Sequence, residues 1–157
     1  MAGLPAFKPA SAKPLAASAT AEVKVDDAYM APLAFAEPSS RVSRLDGPIA
    51  KYAAHYDVPE SLIRRVIERE SGYNPKARNG PYLGLMQIRH DTARSMGYRG
   101  DAAGLLDADT NLRYAVKYLR GAYMVGGYSQ NAAVRFYSSG YYYDAKRQGL
   151  LEETGLR

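Results

Sequence analysis

Residues 59–72 read PESLIRRVIERESG, and the spacing inside this stretch sets the fold class. Ile63, Val66, Ile67 and Glu70 stand at i, i+3, i+4 and i+7, which predicts one stripe on an α-helix. Pro59 has its φ pre-set for a first helical turn, with Asp57 or Val58 near the cap. Gly72 marks the stop, because Tyr73-Asn74-Pro75 does not readily continue a helix. The stripe is apolar until its last member. Glu70 thus puts a carboxylate at the end of an apolar face, where the helix meets a loop rich in breakers. Glu68 falls on another side, one turn from Arg64 and Arg65, and reads as an ordinary solvated, ion-paired glutamate.

A carboxyl group beside apolar atoms loses hydration, which disfavours its charged form. An acid that keeps its proton near neutral pH can give it to a leaving oxygen, and glycosidic cleavage uses a glutamate in this way. The competing reading is a structural glutamate hydrogen-bonded to the backbone amides of the following loop. The helical wheel alone leaves both open.

Outward from this helix the pattern stays helical. Gly47-Pro48 punctuates, Pro48 suits a first helical position, and Ile49, Tyr52, Ala53 and Tyr56 recur at helical spacing. Downstream, Asn74 to Leu83 is a loop, and a small hairpin around Tyr82–Ile88 is compatible with the residues. Asp91 is expected to cap a short helix ending at Gly97. A longer helix is expected from Ala108 to Met124, with Leu112, Ala115, Val116 and Leu119 on one face. Gly126-Gly127 breaks it, and Gln130 to Tyr137 resumes the helical pattern. Strand signals are scarce, so the fold class is all-α or α-dominated. Residues 1–45 are rich in Pro, Ala and Ser with little periodicity, and read as a flexible leader or linker. Residues 46–157 form the folded domain.

Composition narrows the chemistry. At 157 residues the chain suits one domain with a real core. It has no cysteine, which excludes disulfides, thiol catalysis and cysteine-rich metal sites. The two histidines, His55 and His90, stand far apart without a carboxylate cluster at ligand spacing, so no metal site is expected. No run of 18 apolar residues occurs, and no membrane span is expected. The opening segment lacks an uninterrupted apolar core and makes a poor signal peptide. The net charge of +5 lies wholly in residues 48–157, which reads either as a merely solvated surface or as favouring an anionic partner such as nucleic acid, lipid or glycan. The Lys and Arg residues are scattered rather than set along one recognition helix, which argues against nucleic acid. Tyrosine is abundant, at 14 against 3 Phe and no Trp, and suits half-wet grooves as well as cores.

Several motifs then bear on Glu70 together. ERESGYNPKA at 68–77 is followed by GLMQI at 84–88, and later by TNLRYAVKYL and FYSSGYY. In this order and spacing the segments resemble the catalytic domain of the soluble lytic transglycosylases, a lysozyme-like superfamily branch, over roughly residues 46–145. The resemblance implies a lysozyme-like helical domain. It also implies that Glu70 is the catalytic acid/base and that Ser71 helps to hold the glutamate and substrate. Gly84, Leu85, Met86 and Gln87 would line the sugar groove, with the Gln87 amide bonding the glycan, Met86 an adaptable apolar contact and Gly84 a close backbone approach. Core filling by Met86 and loop bracing by Gln87 are the alternatives. Asn111 matches a position that buttresses the fold. Tyr137 matches a tyrosine whose hydroxyl reaches the glutamate or the sugar, against the alternative of a core tyrosine. The family usually follows that tyrosine with Asn-Ala-Gly; here Ser138-Ser139-Gly140 stands, with similar hydrogen bonding but shorter reach. Tyr141-Tyr142-Tyr143 either extends the groove or packs as a terminal strand or turn.

Ordinary glycosidases need two carboxylates, and none is convincingly placed beside Glu70: Asp57 reads as a cap, while Asp101, Asp107 and Asp109 sit in or beside turns. The resemblance accordingly implies a one-carboxylate lytic transglycosylase that closes a 1,6-anhydro ring on peptidoglycan without metal or cofactor. A hydrolytic muramidase and a non-catalytic peptidoglycan-binding domain are the rival readings. A periplasmic or cell-envelope location follows from the substrate, and family analogy suggests a secretion or flagellar envelope complex as partner.

Overall fold

The decisive helix, α2 (Glu60–Ser71), buries Leu62, Ile63, Val66 and Ile67. Each such side chain contributes on the order of 1.5–3 kcal/mol by leaving water. Gly72 ends the helix in the left-handed conformation at φ 57°, its N–H bonding the Glu68 carbonyl. The start differs slightly from expectation. Pro59 is the N-cap, its carbonyl accepting from Leu62 and Ile63, and no side chain caps the helix. Asp57 instead takes φ 54° in the turn before it, and Val58 is buried.

The computed structural model describes residues 38–156. α1 (Pro38–Tyr56) starts ahead of Gly47-Pro48 and carries Pro48 in its interior. The reason is a longer apolar stripe: Leu45, Ile49, Tyr52 and Ala53 are all buried, and the helix packs against α4 (Ala108–Val125). That packing sustains a helix through a residue that removes one backbone hydrogen bond. Residues 38–45 of the expected leader are therefore helical, while 1–37 lie outside the described residues.

α4 is the hub. It packs against α1, α3 (His90–Ser95), α5 (Gln130–Ser139), α6 (Tyr142–Gln148), α7 (Leu151–Thr154) and a 3-10 helix at Ala102–Leu106. Its buried residues span more than one face, from Asn111 and Leu112 to Ala122 and Val125, as a helix enclosed by neighbours requires. Asp107 caps it by accepting from the Thr110 N–H. At Gly121 a Cβ would collide with the Tyr141 hydroxyl, which donates to the Tyr118 carbonyl at 2.7 Å.

Three short antiparallel strands complete the fold in the order β1 (Arg78–Asn79), β2 (Tyr82–Leu83), β3 (Ile88–Arg89). The β2–β3 pair, with Leu83 opposite Ile88, is the anticipated hairpin. Two expectations are corrected. Asp91 does not cap α3: it lies inside the first turn and holds Arg89 at 3.0 and 3.1 Å. Tyr141–Tyr143 forms no strand: Tyr141 is buried, Tyr142 opens α6, and Tyr143 is exposed. The architecture is mainly α with a small sheet.

Candidate active site

The last turn of α2 delivers Glu70 to the junction with the loop that leads into the sheet. Its side chain is half-buried, at the end of the stripe formed by Ile63, Val66 and Ile67. The next residue ties the helix end to the facing segment. Ser71 Oγ lies 2.6 Å from the Leu85 carbonyl and 3.3 Å from that of Ile67, so its single proton goes to Leu85. The same oxygen accepts from the Asn74 N–H at 3.2 Å.

Residues 84–87 form a tight, almost wholly enclosed turn. Gly84 takes φ 74°, and a Cβ there would strike the Leu105 carbonyl and the Asn111 amide. The close approach at Gly84 is thus to the protein's own interior. Leu85 and Met86 are both 0% exposed. Their side chains fill the core and do not line a groove, which corrects the expectation of an apolar Met86 contact for the sugar. Gln87 sits at φ 51° and is nearly buried. Its Nε2 donates to the Gly84 and Ala77 carbonyls at 3.0 and 3.2 Å, which uses both amide protons and leaves Oε1 as the atom with spare capacity. Bracing of the loop by Gln87 is therefore observed, and the donor half of its expected contact with a glycan is already committed.

Asn111, fully buried at the start of α4, holds this turn from behind. Its Oδ1 accepts from Met86 N–H at 2.9 Å, while Nδ2 donates to the Leu83 and Leu105 carbonyls at 2.9 Å each. The buttress role fits all three bonds. Tyr137, on α5, approaches from the other side and donates its hydroxyl proton to the Met86 carbonyl at 2.7 Å. Burial raises its phenol well above the ordinary value, and the charge of Glu70 adds to the effect, which places the two groups near each other. Tyr137 is thus a neutral, proton-committed hydroxyl with lone pairs to spare.

Two depressions flank this cluster. One is lined by Gln87, Thr92, Tyr118 and Tyr137 together with Ser138 and Ser139. The other shares Ser138 and Ser139 and adds Arg65, Arg69 and Arg135. Ser138 Oγ donates back to the Val134 carbonyl at 3.1 Å and Ser139 Oγ to that of Gly140 at 3.2 Å, so each presents mainly acceptor capacity to the space outside. Glu70 follows Arg69, which lines the second depression, and its charge is felt by Tyr137, which lines the first. Sequence reasoning brought Glu70, Ser71, Gly84–Gln87 and Tyr137 into one region, and the fold brings them together. It missed Tyr118 and Thr92, whose spacing on α4 and α3 marks them only as helix-face residues.

A half-buried carboxyl group at a helix end, a turn locked by a buried asparagine and a committed tyrosine make a preorganised polar site. Residues 47–150 match the family model described as the transglycosylase SLT domain, so the chain belongs to that lysozyme-like family, which acts on peptidoglycan.

Proposed function

We propose that the chain is a peptidoglycan lytic transglycosylase in which Glu70 serves first as acid and then as base. Glu70 gives its proton to the oxygen of the β-1,4 bond between N-acetylmuramic acid and N-acetylglucosamine, and the bond to the muramyl anomeric carbon breaks. The substrate's acetamido group stabilises the cation that forms. The Glu70 carboxylate then takes the proton of the muramyl 6-hydroxyl, whose oxygen bonds to the anomeric carbon and closes the 1,6-anhydro ring. No water is consumed, and the proton count on Glu70 returns to its starting value. Ser71 and Tyr137 fix the surroundings of the acid through Leu85 and Met86, and Gln87 offers Oε1 to an N–H of the sugar. The reaction belongs in the periplasm or envelope, where the polymer lies.

One observation carries this reading: Glu70 is the acid at the end of the buried α2 stripe, beside the turn, and most other acids of the described residues have partners of their own. Asp46 and Glu60 hold Arg64, Asp91 holds Arg89, and Asp109 takes Lys51 and Tyr52. Asp101 and Asp107 cap helices, and Asp144 pairs with Arg147. Asp57 lies beyond the opposite end of α2, roughly 15 Å or more away at 1.5 Å per residue. A two-carboxylate hydrolysis needs a partner acid at about 5–10 Å; Glu68 is exposed on another side of α2 and Glu152 and Glu153 belong to α7, which favours a one-carboxylate scheme.

Product analysis on purified wall tests the proposal. Glu70→Gln is expected to abolish release of anhydro-muropeptides while the thermal transition stays within a few degrees of the parent. A Glu70→Gln variant with parental turnover removes Glu70 from the chemistry. Parental products heavier by one water would assign hydrolysis instead.

A further inference from the structure

The second depression beside Glu70 has a charge that the ring-closing chemistry does not use. Arg65 and Arg69 stand four residues apart on α2, one turn of helix, and Arg135 faces them from α5. All three are exposed, and among the described residues none forms an ion pair. Arg65 donates to the Asn131 side-chain oxygen at 2.8 Å, a neutral partner that orients the guanidinium without cancelling its charge. Arg135 lies over the Phe136 ring at 5.7 Å, which likewise leaves the charge in place. This contrasts with Arg64, Arg89 and Arg147, each neutralised by an aspartate. Three guanidinium groups without an ion-pair partner among the described residues line one depression, and an anion placed among them would meet all three charges.

We infer that Arg65, Arg69 and Arg135 form a carboxylate-reading subsite for the acidic peptide branches that hang from the glycan. The inference rests on the proposed reading of peptidoglycan as substrate. Geometry favours a branch over the glycan backbone itself: the depression shares only the Ser138–Ser139 edge with the one that Gln87 and Tyr137 line. A sugar held in the depression that Gln87 and Tyr137 line would thus send its substituent across the serines toward the arginines. Guanidinium groups suit this task because their planar donor forks match carboxylates in pairs.

Binding to purified insoluble wall by co-sedimentation tests the subsite without turnover, using the full chain with Glu70→Gln. One wall sample is native; in the other the peptide carboxylates are capped as neutral amides. Adding Arg69→Gln and Arg135→Gln is expected to weaken binding to native wall about tenfold. The same loss is expected when the arginines are intact and the wall is neutralised, with little further loss when both changes are combined. Equal binding of native wall with and without the two substitutions overturns the inference, as does an equal loss on both walls. Unchanged wall binding with lost affinity for a polyglutamate peptide assigns the arginines to an acidic protein and also overturns it. Absence of anhydro products from the unsubstituted chain counts against the Glu70 mechanism alone, since these binding ratios do not depend on turnover.

Discussion

At the scale of single residues, the site depends on atoms that a ligand never touches. Asn111 ties the turn from Gly84 to Gln87 to its surroundings, accepting the Met86 N–H and donating to the carbonyls of Leu83 in β2 and Leu105 in the 3-10 helix. Replacing it with aspartate keeps the size and reverses the chemistry, because a carboxylate cannot donate to Leu83 or Leu105 and would sit wholly buried against their oxygens. Asn111→Asp is expected to cost about 3 kcal/mol or more, read as a lowered urea midpoint. It should also reduce activity in the fraction that remains folded, because the Met86 carbonyl that receives Tyr137 moves with the turn. An unchanged midpoint would mean that the turn holds itself. Gly84 is constrained for the same reason: its positive φ and the proximity of Asn111 leave no room for a Cβ.

At the scale of elements, α4 illustrates how a cap and a stripe cooperate. The Asp107 carboxylate accepts from Thr110 at the helix start, foremost from its backbone N–H, and these bonds hold its carboxyl below the ordinary value of 3.8. A depressed folded value means that the stabilisation is complete above the unfolded value and is lost as pH falls through the folded one. Asp107→Ala should therefore lower stability by about 1 kcal/mol near neutral pH, a shift of roughly 4 °C in Tm, and the gap should narrow as the pH falls below the ordinary carboxyl value of 3.8. A gap that persists undiminished in acid would assign the effect to helix propensity. Elements like α2 and α4 were legible because an apolar stripe and a terminating glycine mark the same boundaries. α1 was misjudged because Gly47-Pro48 is a strong local stop signal, whereas the burial of Leu45 that overrides it is a tertiary fact. The strands, two residues each, are too short to leave any period. Within the site, Glu70 stood out as the odd member of a stripe, but the enclosure of Leu85 and Met86 did not, because a loop motif does not reveal which of its side chains turn inward.

At the scale of the molecule, the packing around α4 bears on cooperativity. Six other elements rest on that helix, and the buried Tyr118 ring sits 5.5 Å from that of Tyr137 and 4.7 Å from that of Tyr141 along the joint between α4, α5 and the start of α6. Those rings report tertiary packing through near-ultraviolet circular dichroism, in a chain with no tryptophan to mask them. Far-ultraviolet circular dichroism reports helix. If no element can leave without uncovering α4, the two signals must melt together. Coincident transitions are the expected result, and Leu119→Ala, at a fully buried position on the hub, should lower both midpoints equally at a cost of about 2–5 kcal/mol. A tyrosine signal that fades several degrees before the helical one would mean that α5 and α6 loosen as a separate unit. Ser138 and Ser139 would then stand on a mobile edge, and the arginine subsite across α2 and α5 would be assembled only when that edge is docked.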